Sequence, residues 1–231
     1  MDKDDIYDIL KQRILSLEAV PYEKISENKL AKELNVSRTL LRSAIARLED
    51  ENLLYVVPQS GTVVTPIRSE YVEQTIFASI TILGKLIDEV CSRIWTDEER
   101  ARMIELQTQI SLGIEQSNVT SEERLERVLE LRNLLIRMGG HEVAEEFLDV
   151  ISGDYWRTLQ LQYETFSTSA IAYPMSFSQR ADIMYRMLID YLLKGDAVAA
   201  KMLLQESYNT MILQMEHLKQ VNPSYFADAS Q

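Results

Sequence analysis

The feature that most constrains the fold is a single pair of strand-like segments. The rest of the chain has apolar residues at helical spacing. Two β-branched runs, residues 54–57 and 62–65, flank the sequence PQSG, with Gly61 as the turn residue. Such an arrangement predicts a β-hairpin. From residue 70 onward apolar residues recur at helical spacing, and only 7 Gly and 5 Pro occur among 231 residues. The sequence therefore predicts a mainly α protein with a single hairpin.

Three predicted helices precede this hairpin. The first covers residues 5–18, where apolar residues share one helical face. Ser26 is placed to cap a short second helix, and Ser37 to cap a third that ends near Glu51, with Asn52 as its C-terminal stop. Two short helices joined by a tight turn, followed by a hairpin, are typical of a winged helix-turn-helix.

The distribution of charge indicates two domains. Residues 1–68 carry 10 Lys or Arg and 11 Asp or Glu, a net charge of −1, whereas residues 69–231 carry 14 and 25, a net charge of −11. Such asymmetry is typical of domains with different partners. We expect a winged helix-turn-helix of three helices and a hairpin wing at 1–68, and an all-helical bundle at 69–231 with residues 221–231 as a loose tail.

The third predicted helix carries one face that suits the major groove of DNA. Successive residues of an α-helix are rotated by about 100° about its axis. On that basis the apolar residues of the third helix lie on one side and its short or cationic residues on the other. No acid occurs from residue 37 to residue 46. Arginine can donate a bidentate pair to guanine, while serine and threonine reach phosphates or base edges. The candidate DNA contacts are Ser37, Arg38, Thr39, Arg42, Ser43, Arg47 on the flank, and Gly61 at the wing tip. The alternative is an ordinary solvated helix face.

Residues 25–64 resemble the DNA-binding domain of the GntR family of bacterial transcription regulators. The segment ISENKLAKELNVSRTLLRSAIARLEDENLL, followed by PQSGTVV, is similar to that family's pattern L-x-E-x-x-L-A-x-x-L-x-V-S-R-x-P-V-R-x-A-L-x-x-L-x-x-E-G-L and its glycine-bearing wing. Leu40 stands where the family usually has Pro, and Asn52 where it usually has Gly. The resemblance implies groove contacts from Ser37, Arg38, Thr39, Arg42 and Gly61.

The remainder resembles the FadR-like subgroup, whose all-helical C-terminal domain, of the FCD type, binds an effector and dimerises. The segments LRNLLIRMGGH and LLKGDAVAA are similar to motifs of that subgroup. Many members hold a metal on one Asp and three His, and the corresponding positions here are Val128, Arg132, Tyr185 and Ser207. Because these side chains are not good ligands for a divalent ion, we expect neither a metal nor a cofactor.

Arg132, Tyr185 and Ser207 are the candidate effector contacts implied by this resemblance. A buried arginine needs a partner, because an unpaired buried charge is costly. Arg132 could pair with Glu164 or Asp182, or it could bind the carboxylate or phosphate of an effector, with Tyr185 and Ser207 adding neutral hydrogen bonds. The alternative is an internal salt bridge in a pocket without a ligand.

These features predict a transcription regulator, acting as a repressor or an activator, that binds a palindromic DNA operator as a homodimer. A small-molecule effector, such as an organic acid or other anion, is expected in the helical domain. The alternative is a regulator whose helical domain only dimerises. An enzyme is disfavoured, because two distant histidines and no phosphate loop or G-x-S-x-G offer no catalytic group. One cysteine, an acidic start and no apolar run of about 18 residues predict a cytoplasmic protein without a membrane partner.

Overall fold

Ten α-helices and three short strands form the part of the chain described by the computed structural model, residues 2–57, 61–116, 118–166 and 175–227. The N-terminal elements are α1 (Lys3–Leu15), β1 (Lys24–Ile25), α2 (Glu27–Glu33), α3 (Arg38–Asp50), β2 (Leu54–Val57) and β3 (Gly61–Val64). The following elements are α4 (Ser69–Cys91), α5 (Asp97–Glu115), α6 (Ser121–Gly139), α7 (Glu142–Ile151), α8 (Gly153–Phe166), α9 (Phe177–Leu193), α10 (Ala197–Val221) and a 3₁₀ turn (Pro223–Tyr225). The predicted fold class, a winged helix-turn-helix followed by an all-helical bundle, is confirmed.

The predicted hairpin forms, and it gains a strand that the sequence did not predict. The sheet has the order β1-β3-β2, with both pairs antiparallel. In the added strand, Lys24 pairs with Val63. A two-residue strand shows no periodicity, and its partner lies far along the chain, so sequence pattern alone does not reveal it. Pro58, Gln59 and Ser60 of the predicted turn lie outside the described residues.

The predicted helix boundaries in the N-terminal part rest on side-chain caps. The Ser26 hydroxyl accepts a hydrogen bond from the Lys29 backbone N–H, and the Ser37 hydroxyl accepts one from Leu40 over 3.3 Å. Each cap satisfies a backbone donor that the first helical turn leaves unpaired. Just beyond α3, Asn52 adopts a left-handed φ of 57°, which confirms it as the C-terminal stop.

Helix α8 lies at the centre of the bundle. Every residue from Gly153 to Tyr163 is buried, and the helix packs against α4, α6, α9 and α10. A helix enclosed on all sides must pair its own polar groups, and the Thr158 hydroxyl accordingly donates to the Asp154 carbonyl over 2.7 Å. None of the described helices is long and apolar enough to cross a membrane.

A buried polar network joins α8 to the segment that follows the wing. The Arg157 guanidinium, fully buried, donates to the carbonyls of Thr65 and Pro66 and pairs with Asp154. Arg68, at the start of α4, pairs with the same Asp154 carboxylate over 2.9 Å. Charge-assisted hydrogen bonds therefore hold the segment between the winged domain and the bundle against α8. Such bonds are strong and have a specific geometry.

The C-terminal segment is held to this junction as far as Ala227. The Ile67 N–H donates to the Tyr225 carbonyl, and the Ala227 N–H donates back to the Ile67 carbonyl, both over 2.9 Å. The predicted loose tail is therefore wrong for residues 221–227, of which Val221 ends α10. The physical reason is Phe226, whose buried side chain adds to the core. The domain boundary at residue 68 stays a prediction.

Candidate nucleic-acid interface and effector pocket

Helix α3 buries one stripe and leaves the opposite face in solvent. Leu41, Ala44, Ile45 and Leu48 are each at most 3% exposed, and this stripe packs α3 against α1 and α2. The angular assignment made from sequence is therefore confirmed for the buried side. Burial of this stripe fixes which way the remaining side chains of α3 point.

The outward face of α3 contains the residues predicted to contact DNA. Its exposed members are Arg38, Thr39, Arg42, Ser43 and Ala46, with the cap Ser37 at its N-terminal end. α3 itself contributes no acid to its first turn. Helix α2 does bring one acid to the face, because the Arg42 Nε donates to Glu27 Oε2 over 2.8 Å. Sequence reasoning missed this neighbour, although its position at the start of α2 was a possible signal.

Arg47 lies apart from the other candidate DNA contacts. Its guanidinium stacks on the Tyr7 ring, with Cζ 3.7 Å from the ring centroid, and pairs with Asp4 over 2.7 Å. Both partners belong to α1. The flank of α3 on which Arg47 lies is packed against α1, so the Arg47 guanidinium, although 46% exposed, is held against that neighbouring helix.

Gly61 opens β3 with a φ of 101°. Residues other than glycine rarely adopt this backbone conformation, so this position requires glycine. Gly61 is exposed and pairs across the hairpin with Val57. Gly61 is thus the first residue of β3, next to the undescribed residues 58–60, and its contact with DNA stays a prediction.

Arg132 is buried in α6, but its acidic partner differs from both predicted ones. The guanidinium pairs with Asp149 of α7, and its Nε donates to Asn133 Oδ1 over 2.9 Å. Asp182 instead pairs with Arg124, which also donates to the Gly113 carbonyl. The predicted pairing of Arg132 with Asp182 or Glu164 is therefore wrong, because α7 packs against α6 and brings Asp149 to it.

The structure brings Arg132, Tyr185 and Ser207 to one cavity in the bundle. That cavity has a volume of only about 30 Å³, and its lining is mostly apolar and aromatic, including Tyr155 and Trp156. A site of this size has room for a water molecule or two, and no more. Burial raises the pKa of the Tyr185 hydroxyl well above its ordinary value. The phenol is therefore neutral and can take part in hydrogen bonds without adding charge.

The four positions that correspond to metal ligands offer no ligand set. Val128 has no donor atom, and Arg132 is a cation. Within the described ranges, no three His, Cys, Asp or Glu side chains are grouped so that they could hold a metal ion. His141, one of two histidines, is exposed and hydrogen-bonds Glu89 on the surface over 2.9 Å. The donor chemistry at these positions therefore does not fit a divalent ion.

Residues 2–64 match the model of the gntR family of bacterial regulatory proteins. A Streptomyces ambofaciens protein, described as an uncharacterized HTH-type transcriptional regulator in an unstable DNA locus, is 41% identical over 64 residues. That match covers 28% of this chain and 27% of the relative's length. The similarity in sequence to these proteins is therefore confined to the N-terminal part of the chain.

Two solved structures resemble the whole chain. E. coli McbR/YncC aligns with a TM-score of 0.76 at 17% identity, covering 94% of this chain and 97% of that one. A GntR protein of Rhodococcus sp. RHA1, described as a putative transcriptional regulator, aligns with a TM-score of 0.69 at 14% identity, covering 91% and 97%. At these identities the likeness shows a shared fold of both domains.

Proposed function

We propose that this chain, whose residues 2–64 form a domain of the gntR family, is a sequence-specific DNA-binding transcription regulator. The observation that carries the proposal is the outward face of α3, where Arg38, Thr39, Arg42 and Ser43 stand exposed while the opposite stripe is buried. A helix held in this way can enter the major groove as a rigid element.

The charges and caps of the N-terminal domain assign a role to each contact. Arg38 and Arg42 read base edges, since arginine can pair bidentately with guanine. Ser37 and the free N–H groups of the α3 N-terminus bind a phosphate. Thr39 and Ser43 are short enough to let the helix approach closely, and Gly61 brings the wing backbone near the sugar-phosphate chain. The acidic bundle is repelled by phosphate, so affinity depends on these contacts.

The regulator acts as a homodimer on a palindromic operator, and α4 and α10 supply the face for the second copy. These helices pack against each other, and the Lys201 ammonium group donates a hydrogen bond to the Asp88 carboxylate. Phe77 of α4 and Val198, Met202 and Leu213 of α10 are apolar and exposed. Exposed apolar residues on two neighbouring helices suit a two-fold interface, in which each copy covers those of the other.

The bundle belongs to the FadR-like subgroup in this proposal, on the strength of its two sequence motifs and its helical fold. Its interior favours a closed domain over the predicted effector pocket, because the cavity at Arg132 is only about 30 Å³. A neighbouring cavity lined by Tyr185 and Ser207 is about 140 Å³, below the usual range for small-molecule sites of about 300 to 1,000 Å³. An effector of ordinary size therefore needs a site outside the bundle interior.

The test is selection of DNA from a random-sequence pool by the full chain, followed by titration of the enriched duplex. We expect enrichment of a palindrome. Arg42→Ala should weaken binding of that duplex by about 1 to 3 kcal/mol and relax preference at one base pair per half-site. Arg137→Ala, an exposed arginine of the bundle, is the matched control and should leave binding within about twofold. Failure to enrich any sequence would overturn the proposal.

A further inference from the structure

A cleft of about 560 Å³ separates the winged domain from the bundle. Helix α1 forms one wall and helix α6 the other, with Arg47 and Asp149 contributing from α3 and α7. This volume lies within the usual range for sites that bind small molecules. It is also many times larger than the cavity of about 30 Å³ inside the bundle.

The inner wall of the cleft contains Arg132, a buried cation whose hydrogen bonds are incomplete. Its side chain is 5% exposed and lines both the cleft and the small bundle cavity. One terminal nitrogen, Nη1, is buried and has no hydrogen-bond partner in the part of the chain that the structure describes. A buried donor of a charged group without an acceptor is costly, so a carboxylate entering the cleft gains a strong partner.

The present partner of Arg132 can be exchanged. The Asp149 side chain is 44% exposed. When a ligand arrives, water can therefore replace Arg132 as the hydrogen-bond partner of the Asp149 carboxylate. An incoming carboxylate can thus pair with Arg132 while Asp149 turns to solvent, and no charge is left buried alone.

Of the other charged residues that line the cleft, Lys11 and Arg47 are paired with Glu51 and Asp4, and the remaining ones are acids. Asp8, Glu122 and Glu126 are exposed and line it, and Glu126 accepts a hydrogen bond from Gln12 across the cleft over 2.8 Å. These acids would repel a second negative group on a ligand and attract a positive one. Apolar Leu15, Leu125 and Leu129 line the same cleft. Because an α-helix rises by 1.5 Å per residue, residues 126 and 132 are about 9 Å apart along the axis of α6. This distance is the approximate span between the acidic and the cationic group.

We infer that this cleft binds a small zwitterion: a carboxylate on Arg132, an aliphatic chain across the three leucines, and an ammonium group at Glu126. The regulatory meaning of the site rests on the proposed function. Because the ligand contacts α1 and α6 together, it fixes the winged domain against the bundle. Arg47, on the flank of α3, lines the same cleft, so the position of the DNA-reading helix depends on whether the site is filled.

Calorimetric titration of the full chain with three matched compounds tests the inference. ε-Aminocaproate carries both charges, caproate lacks the ammonium group, and hexylamine lacks the carboxylate. We expect ε-aminocaproate to bind about threefold more tightly than caproate, since an exposed ion pair adds little. Hexylamine should bind about tenfold or more weakly than ε-aminocaproate, since it leaves Arg132 without its new partner.

Two near-isosteric variants separate the ends of the ligand. Glu126→Gln should reduce the affinity for ε-aminocaproate to that for caproate. Asp149→Asn removes the competitor for Arg132 and should raise the affinity for caproate about tenfold. The control is Glu73→Gln, which neutralises an exposed acid of α4 that does not line the cleft. It should change the affinity for neither ε-aminocaproate nor caproate. Arg132→Met should abolish binding of both compounds. If the Arg132→Met protein does not fold, the results for Glu126→Gln and Asp149→Asn test the site on their own.

Equal binding of all three compounds, or affinities that do not respond to Glu126→Gln and Asp149→Asn, would overturn the cleft site. Titration of the selected DNA duplex with the same samples keeps the two proposals apart. A chain that binds DNA and ignores ε-aminocaproate overturns the cleft alone. A chain that binds ε-aminocaproate in the expected order, and selects no DNA, overturns the proposed function and supports the cleft.

Discussion

The Nε of Arg42, on the outward face of α3, donates a hydrogen bond to Oε2 of Glu27, the first residue of α2, over 2.8 Å. The Arg42 side chain is 69% exposed, whereas that of Glu27 is 22% exposed. An exposed pair of this kind adds only about 0 to 1 kcal/mol to stability. Its larger effect concerns DNA, because Glu27 places a negative charge next to the surface proposed to meet phosphate and holds the guanidinium in one orientation.

Glu27→Gln should therefore strengthen DNA binding and weaken sequence discrimination. Loss of the acid removes a repulsion for every duplex, and loss of the ion pair frees Arg42 to meet phosphates as well as bases. We expect non-specific affinity to rise about threefold to tenfold at low salt, with the gap between the selected duplex and a scrambled one narrowing. Fluorescence anisotropy with both duplexes measures the two effects.

Asp50→Asn provides the matched control, since it neutralises an exposed acid at the far end of α3. It should raise affinity for both duplexes by less than Glu27→Gln and leave their ratio unchanged. Weaker binding of both duplexes by Glu27→Gln would show instead that Glu27 is needed to orient Arg42.

The N-terminal domain could be predicted closely because its signals are local. Caps at Ser26 and Ser37, the stop at Asn52 and the period of the α3 stripe each involve residues within a few positions of one another. The two-residue strand β1 and the Arg42–Glu27 pair depend on contacts between separate elements, and no periodicity encodes them. The contact of Arg47 with Tyr7 has the same origin, since Tyr7 lies 40 residues earlier in the chain.

The helical domain was predictable in class but not in its interior pairing. The motifs predicted that Arg132 is buried, which the structure confirms, and they left open whether its partner is an acid of the protein or an effector. Which acid meets it depends on how α7 packs against α6, and the sequence carries no signal for that angle. The cleft could not be anticipated either, since its two walls come from α1 and α6, whose residues are separated by more than a hundred positions.

The buried Asp154–Arg157 pair should be a large determinant of stability. Asp154→Ala leaves the guanidinium of Arg157, 0% exposed, without its acid. Breaking a buried pair in this way costs about 3 to 5 kcal/mol. Urea denaturation should register that loss, whereas Asp88→Ala, which removes an exposed partner of Lys201, should cost less than about 1 kcal/mol.

The double variant Asp154→Ala with Arg157→Met serves as the internal check on this value. With both charges removed, much of the lost stability should return, because no buried charge stands alone. A loss below about 1 kcal/mol for Asp154→Ala alone would mean that the carbonyls of Thr65 and Pro66 suffice for Arg157.

Glu99 at the start of α5 should make stability depend on acid pH. Hydrogen bonds from Arg93, and next the Thr96 cap, lower the pKa of Glu99 from 4.5 to about 2. A carboxyl with a lowered pKa contributes its full stabilisation above the ordinary value and loses it as pH falls through the folded value. Glu99→Gln keeps the cap but loses the ion pair, so it should cost about 1 kcal/mol at pH 7. This difference should shrink as pH falls from 4.5 toward about 2.

Urea denaturation of both proteins between neutral pH and pH 3 measures that difference. The control is the same substitution in an Arg93→Met background, where the cost of Glu99→Gln should fall to a few tenths of a kcal/mol, since the ion pair is already absent. A difference that stays constant as pH falls would assign the effect to helix packing and not to the charge.

The α4–α10 face should hold the two copies of the proposed dimer together, so Met202→Glu with Leu213→Glu should give monomers. Both side chains are more than two-thirds exposed in the single chain, at 68% and 83%, so the variant should fold normally. Within a dimer each carboxylate would lose water without gaining a cation, at a cost on the order of several kcal/mol. Sedimentation velocity should therefore show monomers at concentrations where the parent chain is dimeric. Val143→Glu, a substitution at an equally exposed position of α7, should leave the dimer intact, and dimers that survive the double variant would move the interface elsewhere.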